Sequence, residues 1–255
     1  MSRPRTKEII ELAFPCLKGA QGISLRLPGF SGRADSRSLV QLDVYYPPNA
    51  PEALTAPPIL VFFYGGGFTL GSPSPPPSFI TTLAHSSRLK GSEDVIVFIM
   101  GHSAGGVHLA GVLFTPGLFS RASPAIRGVV FLGILMTIPA SRPQFYPAAI
   151  TYYDSPKAIS RNQPLRLLQR CTQEIASGLP PIRALAAGSE PRYILTGMHV
   201  FAEELRKKGG VIEEFVLEGH DHLSPVLALC SGNGEEWDLD IVKWISTILQ
   251  GFGPY

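Results

Sequence analysis

The chain has 255 residues, of which 45% are hydrophobic and 16% are charged, and its formal net charge at pH 7 is +2. This length is sufficient for one domain with a full core, and the small net charge excludes a strong electrostatic preference for nucleic acid. The three cysteines, Cys16, Cys171 and Cys230, lie far apart, so we predict reduced thiols and no metal site. No signal-peptide core and no membrane-length apolar run is found, which predicts a cytoplasmic protein without an integral membrane segment.

The chain is predicted to form a single domain over residues 1–255. Residues 1–37 are expected to form an amphipathic helix and the first strand of an edge hairpin, whose second strand is Ser38–Tyr46. Residues 72–78, which include four prolines, are predicted to form a stiff loop. Apolar, β-branched runs predict the following buried strands: Ile59–Phe63, Asp94–Met100, Ile126–Leu135, Ile182–Ala187 and Val211–Leu217. Segments with apolar residues at helical spacing lie between these strands. This alternation of strands and helices predicts a mostly parallel sheet with helices on both faces.

A G-x-S-x-G sequence, Gly101–Gly105, connects the strand Asp94–Met100 to a helix predicted over Ala104–Phe114. A sharp strand-to-helix turn leaves no room for side chains at the two glycines and presents the serine at the carboxyl edge of the sheet. Ser103 is therefore a candidate nucleophile. A serine hydroxyl needs a base, a group that orients the base, and donors for a developing oxyanion.

The donors are predicted from backbone amides. Three consecutive glycines follow the strand Ile59–Phe63, and they allow the chain to turn its N–H groups inward. We identify Gly66 and Gly67 as two donors, and Ala104, directly after the serine, as the third. A phosphate-binding loop is the rival interpretation, but neither G-K-[ST] nor G-x-G-x-x-G is present.

Histidines that follow the last predicted strand are candidates for the base. The loop after Val211–Leu217 contains both His220 and His222. Because carboxyl ends of parallel strands meet at one edge of a sheet, either histidine could reach the serine. We favour His222.

The acid is expected between the serine and the histidine in chain order, after a strand. Glu190 has this position, because it follows Ile182–Ala187 and precedes a proline. Asp154 is the alternative, in a turn before a predicted helix. Asp221 is too close in sequence to His222 to orient it easily.

Three motifs in this order, Tyr-Gly-Gly-Gly-Phe, Gly-His-Ser-Ala-Gly-Gly and Gly-His-Asp-His-Leu-Ser-Pro, resemble the α/β-hydrolases. The similarity is to the hormone-sensitive-lipase-like esterases and the kynurenine-formamidase-like group, and most of all to fungal members. The resemblance implies an α/β-hydrolase fold and cleavage of a small-molecule ester or amide without a cofactor. It assigns Ser103 as nucleophile, His222 as base and the acid position to Glu190, with the oxyanion amides at Gly66, Gly67 and Ala104.

The chain departs from the family pattern in three places. Tyr64 replaces the usual histidine before the glycines, and Glu190 replaces the usual aspartate. The segment Thr69–Glu93 has room for one helix, expected near Phe79–Leu89, but not for the strand that family members place there. We therefore predict a sheet that lacks one central strand and its flanking helix, with lower stability.

The leading hypothesis for function is a serine hydrolase of small carboxylic esters, with arylformamides as a variant substrate. The alternative is a catalytically impaired, hydrolase-like protein that binds a small molecule. The shortened sheet and the unusual acid are the reasons for considering it.

Overall fold

The computed structural model describes residues 21–28, 39–46, 59–63, 65–68, 79–81, 96–116, 119, 125–141, 146–229, 233–234 and 236–251. The strands are β1 (Gln21–Pro28), β2 (Leu39–Tyr46), β3 (Ile59–Phe63), β4 (Phe79–Thr81), β5 (Val97–His102), β6 (Ile126–Leu132), β7 (Ile182–Ala187) and β8 (Ile212–Leu217). The helices are α1 (Ala104–Phe114), α2 (Tyr146–Tyr153), α3 (Pro156–Asn162), α4 (Pro164–Arg170), α5 (Gln173–Ser177), α6 (Arg192–Lys207), α7 (Ser224–Ala228) and α8 (Glu236–Gln250).

The strands form two hydrogen-bonded groups, in the orders β1-β2-β4 and β3-β5-β6-β7-β8. β1 and β2 pair antiparallel, as the sequence predicted for the edge hairpin, and every other pair is parallel. Parallel strands require crossover connections. Helices accordingly lie in the chain between β5 and β6, between β6 and β7, and between β7 and β8. The predicted α/β class with a mostly parallel sheet is confirmed.

The prediction that a central strand is missing is wrong. β4 lies parallel to β2, with Asp43 opposite Phe79 and Tyr45 opposite Thr81. It also lies beside β3, although no ladder joins β3 and β4 in the described part of the chain. The strand has only three residues, which is too short to produce a period in the sequence. The helix predicted from Phe79 is therefore wrong at its start, and residues 82–89 lie outside the described residues.

Several other predictions concern residues that are not described. These are the N-terminal helix, the proline-rich loop at 72–78, Tyr64, Cys16 and Cys230. Among the described elements, β3, β7 and α1 have the predicted bounds. The strand expected over Asp94–Met100 is displaced toward its carboxyl end, because β5 continues to His102.

β6 is buried on both faces. Val129 and Phe131 belong to a core that includes residues of α1, α4 and α6, whereas Val130 and Leu132 pack on the other face with residues of α8. Successive side chains of a strand point to opposite faces. This is why β6 has a continuous apolar sequence rather than an alternating one.

α6 shows how a helix covers the sheet. It has 16 residues, and its buried side chains recur at the spacing of one helical face. Phe201 and Leu205 are fully buried, and Phe201 packs edge-on against Phe114 and Phe131. No helix in the described ranges has both the length and the apolar character needed to cross a membrane.

We predict that Leu205→Ala lowers the free energy of unfolding by about 2–5 kcal/mol, because it leaves a cavity in a closed core. Leu239→Ala on α8 is the matched control, since Leu239 is 56% exposed, and we expect a change within about 0.5 kcal/mol. Urea denaturation followed by circular dichroism measures both. Equal effects of the two substitutions would contradict the packing described for α6.

Candidate active site

Ser103 lies between the end of β5 and the start of α1, in a strained turn. Its φ is 51° and its ψ is −123°, a combination that non-glycine residues rarely adopt and that costs about 1–3 kcal/mol. A side chain at Gly101 would place its Cβ 2.6 Å from the Cα of Gly106, and one at Gly106 would clash with Ile134. The predicted strand-to-helix elbow is therefore present. Gly101 is crowded as predicted, and the second crowded glycine that the structure shows here is Gly106, where the sequence predicted Gly105.

His222 lies in the loop after β8 and reaches the serine. Its Nε2 is 2.9 Å from Ser103 Oγ, and its Nδ1 is 2.7 Å from Glu190 Oε1. Because a carboxylate only accepts, Nδ1–H donates to Glu190 and Nε2 is left to accept from the serine hydroxyl. The side chains predicted as nucleophile, base and acid thus form one chain of hydrogen bonds, and their roles in catalysis stay predictions.

Glu190 is held in the turn after β7, where its amide donates to Ala187 O at 3.0 Å. Its side chain is only 1% exposed, against 33% for that of His222. The second carboxylate oxygen, Oε2, is buried without a hydrogen-bond partner among the described residues. Among the described residues, the imidazole of His222 is therefore the only partner of this buried carboxylate.

Gly133, at the end of β6, provides the space for this pair. Its φ is +57°, and a Cβ there would lie 2.6 Å from Glu190 Oε1 and 3.3 Å from His222 Nδ1. Its amide donates to Leu185 O at 2.8 Å, which extends the β6–β7 ladder by one residue. Any side chain at position 133 would push the carboxylate and the imidazole apart.

The alternative residues from the sequence have other contacts. His220 Nδ1 is 3.1 Å from Ser224 Oγ, rather than near Ser103. Asp221 Oδ1 accepts from the amides of Ser224 and Leu223 at 2.8 and 3.0 Å. These bonds lower the pKa of Asp221 and fix the start of α7. Asp154, the other candidate acid, lies between α2 and α3. The carboxylate that contacts His222 Nδ1 is that of Glu190.

His102 connects the elbow to the loop that holds His222. It is 4% exposed, and its Nε2 lies 2.9 Å from the backbone oxygen of His222. Burial lowers the pKa of His102 to about 4, against the opposing effect of that hydrogen bond. The ring is therefore neutral at pH 7, and Nε2–H donates to the carbonyl.

The glycine loop packs directly against the elbow. A Cβ at Gly65 would lie 2.7 Å from Ser103 Cβ and 3.1 Å from His102 Nδ1, so only glycine permits this approach. Gly67 has a φ of +61° and open space beside it. Gly66 and Gly67 thus directly follow Gly65, the glycine that lies against Ser103.

Ala104 is the first residue of α1. The first intrahelical bond described here runs from Val107 N to Ser103 O at 3.2 Å, and the Ser103 side chain makes no capping bond. The first amides of a helix have no intrahelical acceptor and favour negative charge. The Ala104 N–H is accordingly available to an anionic oxygen beside Ser103.

An aromatic cluster attaches the glycine loop to α1 and α2. Phe68 stacks on Tyr152 with ring centroids 5.2 Å apart and meets His108 edge-on at 5.9 Å. A hydrogen bond of 2.7 Å joins His108 Nδ1 and Tyr152 Oη. These contacts fix the position of the residue that follows Gly66 and Gly67.

Two residues of this site were missed as contributors in the sequence. Gly133 follows a buried strand, and a glycine at a strand end is a signal of close approach, though not of what approaches. His102 is inside the motif, but its partner is a backbone oxygen 120 residues away. Among the described residues, no group of three or more His, Cys, Asp or Glu side chains is placed to hold a metal ion.

The buried His102 predicts a pH dependence of stability. Its pKa is about 4 in the folded protein and about 6.5 when unfolded, so between these values the unfolded chain binds more protons. The free energy of unfolding should fall as the pH is lowered from 6.5 to 4, by up to about 3 kcal/mol.

His102→Gln is the comparison, because the glutamine amide can donate to the same carbonyl and does not titrate. We expect a flatter dependence of the unfolding free energy on pH in this variant, measured by urea denaturation at several pH values. The same slope in both proteins would show that His102 is not the titrating group.

Comparisons with known proteins concern the fold. No family model matches the sequence, and none of the curated proteins matches it. One of two fungal esterases from Rhizomucor miehei is 14% identical, with a TM-score of 0.62 over 97% of this chain and 92% of that one. Carboxyl esterase 2 from the mycorrhizal fungus Tuber melanosporum is 15% identical, with a TM-score of 0.58 over 88% and 85%.

A bacterial heroin esterase is 17% identical, with a TM-score of 0.57 over 92% of this chain and 85% of that one. These alignments cover most of both chains, so the similarity is one of whole architecture. Identities this low carry the fold and not the activity. The chain has the α/β-hydrolase fold.

Proposed function

We propose that this protein is a serine hydrolase of small carboxylic esters. The observation that carries the proposal is the continuous hydrogen-bond chain Ser103–His222–Glu190, at 2.9 and 2.7 Å. It lies on an α/β-hydrolase fold whose structural neighbours include esterases. A serine paired with an oriented imidazole is the arrangement that activates a hydroxyl for acyl transfer.

In the proposed reaction, Ser103 Oγ attacks the ester carbonyl while His222 Nε2 takes its proton. Glu190 keeps the imidazole in the tautomer that accepts at Nε2, and its buried charge stabilises the imidazolium. The imidazolium then protonates the leaving alcohol, which leaves an acyl group on Ser103. Water, deprotonated by the same imidazole, releases the acid and restores the serine.

The developing oxyanion is assigned to the amides of Gly66, Gly67 and Ala104. The start of α1, where the first amides have no intrahelical acceptor and Ser103 makes no capping bond, and the open space beside Gly67 support this assignment. In related chemistry, each donor aimed at the developing charge lowers the activation free energy by about 3–4 kcal/mol. Arylformamides would react by the same steps with an amine as leaving group, so they are the first amides to assay.

Hydrolysis of p-nitrophenyl acetate and butyrate tests the proposal. Ser103→Ala and His222→Gln should remove nearly all turnover, and Glu190→Gln should lower kcat by up to about 10⁴-fold because the imidazole loses its orientation. His220→Gln is the matched control in the same loop, and we expect it to stay within about threefold of the unchanged protein. Activity that survives Ser103→Ala would refute the serine mechanism.

A protein that folds well but neither turns over esters or arylformamides nor reacts with a fluorophosphonate at Ser103 would favour the alternative of an impaired, hydrolase-like binding protein. Far-UV circular dichroism and a thermal melt separate that result from simple misfolding. A negative assay on folded protein thus decides between the two functions.

Gly133→Ala tests the space around the acid without changing any of the three proposed catalytic side chains. The added methyl would displace Glu190 or His222, and a shift of about 1 Å at a reacting group costs on the order of 10²-fold in kcat. Gly111→Ala in α1 is the control, since nothing lies within 4 Å of its added Cβ, and it should keep full activity and stabilise the protein by about 0.5–1 kcal/mol. Unchanged kcat in Gly133→Ala would contradict the described packing.

A further inference from the structure

A cavity lies at the far end of α1 from Ser103. Its volume is about 580 Å³, within the range of small-molecule sites. Since α1 has 11 residues, its two ends are roughly 16 Å apart. The cavity is lined by the end of α1 and by α3 and α4, none of which contributes to the hydrogen-bond chain at Ser103.

Three cationic side chains line the cavity. They are Lys157, Arg161 and Arg170, and none of the described lining residues is acidic. The sequence from Ser155 to Cys171 has four cationic residues and no acidic one, in a chain with a net charge of only +2. The local excess of positive charge is therefore larger than that of the whole protein.

These cations lack acidic partners in the described part of the chain. No ion pair joins Lys157 or Arg161 to any described residue. Arg170 has a long contact of 3.5 Å with the neutral oxygen Asn162 Oδ1. Lys157 and Arg161 are four residues apart on α3, so they face the same side and repel each other. An anion between them would remove this repulsion.

Apolar residues also line the cavity. They are Phe114, which is 1% exposed, Leu167, which packs against the core, and Ala158. Arginine binds carboxylate and phosphate groups with two parallel hydrogen bonds. A ligand that matches both the cationic and the apolar lining residues has one anionic head group and a short hydrocarbon chain.

We propose that this cavity is a binding site for a small amphiphilic anion, with the head group at Lys157, Arg161 and Arg170 and the apolar chain against Phe114 and Leu167. The site is separate from Ser103 and does not depend on the proposed hydrolysis. It adds a ligand to the protein rather than a second reaction.

The test is isothermal titration calorimetry on the Ser103→Ala protein, which cannot turn over an ester by the proposed route. Octanoate and octyl phosphate serve as probes with different head groups, acetate as the head group alone, and 1-octanol as the uncharged chain. We expect at least one of the two amphiphilic anions to bind at a single site, at least about tenfold more tightly than acetate or octanol. The head group that binds more tightly identifies the class of ligand.

Three variants locate the binding. The double variant Lys157→Gln, Arg161→Gln should lower the affinity for the probe by about tenfold or more. Arg166→Gln is the matched control on α4, because Arg166 bonds Gln169 at 2.9 Å and does not line the cavity, so we expect a change within about twofold. Ala158→Leu keeps every charge and adds side-chain volume inside the cavity, and should also weaken binding.

Three results would overturn the proposal. They are no binding of either amphiphile at millimolar concentration, equal binding of octanol, and unchanged affinity in whichever of the double variant and Ala158→Leu is folded. Circular dichroism and thermal melts of each variant establish that it is folded, and the two variants act by different means, so one folded variant is enough to decide.

Discussion

The buried carboxylate of Glu190 is the constraint on which the site depends. A negative charge that is 1% exposed is strongly unfavourable unless a donor or a cation faces it, and the structure supplies the imidazole of His222 at 2.7 Å. This contact requires a glycine at position 133, a turn that follows β7 directly, and a loop after β8 that returns to the sheet edge. Ser103 then completes the chain from the next strand but one.

The parallel register of β5 to β8 makes these requirements compatible. Each strand ends at the same edge, so the residues that follow them meet although they are about 30 to 120 positions apart in sequence. The backbone continues the ladder into the site, with Ser103 N bonded to Leu132 O and Gly133 N to Leu185 O. Precision at the site is therefore a property of the sheet, and less of the loops.

Most of this arrangement could be predicted from the sequence because it is local. The elbow at Ser103, the loop with His222 and the turn with Glu190 each follow a recognisable strand, and chain order supplies the rest. What could not be predicted depends on contacts between distant segments: the role of Gly133, the bond from His102 to a backbone oxygen, and β4, whose three residues pair only because β2 is beside them. Hydrophobic period carries no information at that length.

Because no ladder joins β3 and β4 among the described residues, the two groups of strands can open separately. In the described part of the chain, no ladder joins the β1-β2-β4 group to the five strands that support Ser103, Glu190 and His222. Opening of the smaller group would therefore break none of the hydrogen bonds on which the site rests. We therefore expect the amide protons of the smaller group to exchange through a local opening that leaves the five-stranded sheet intact.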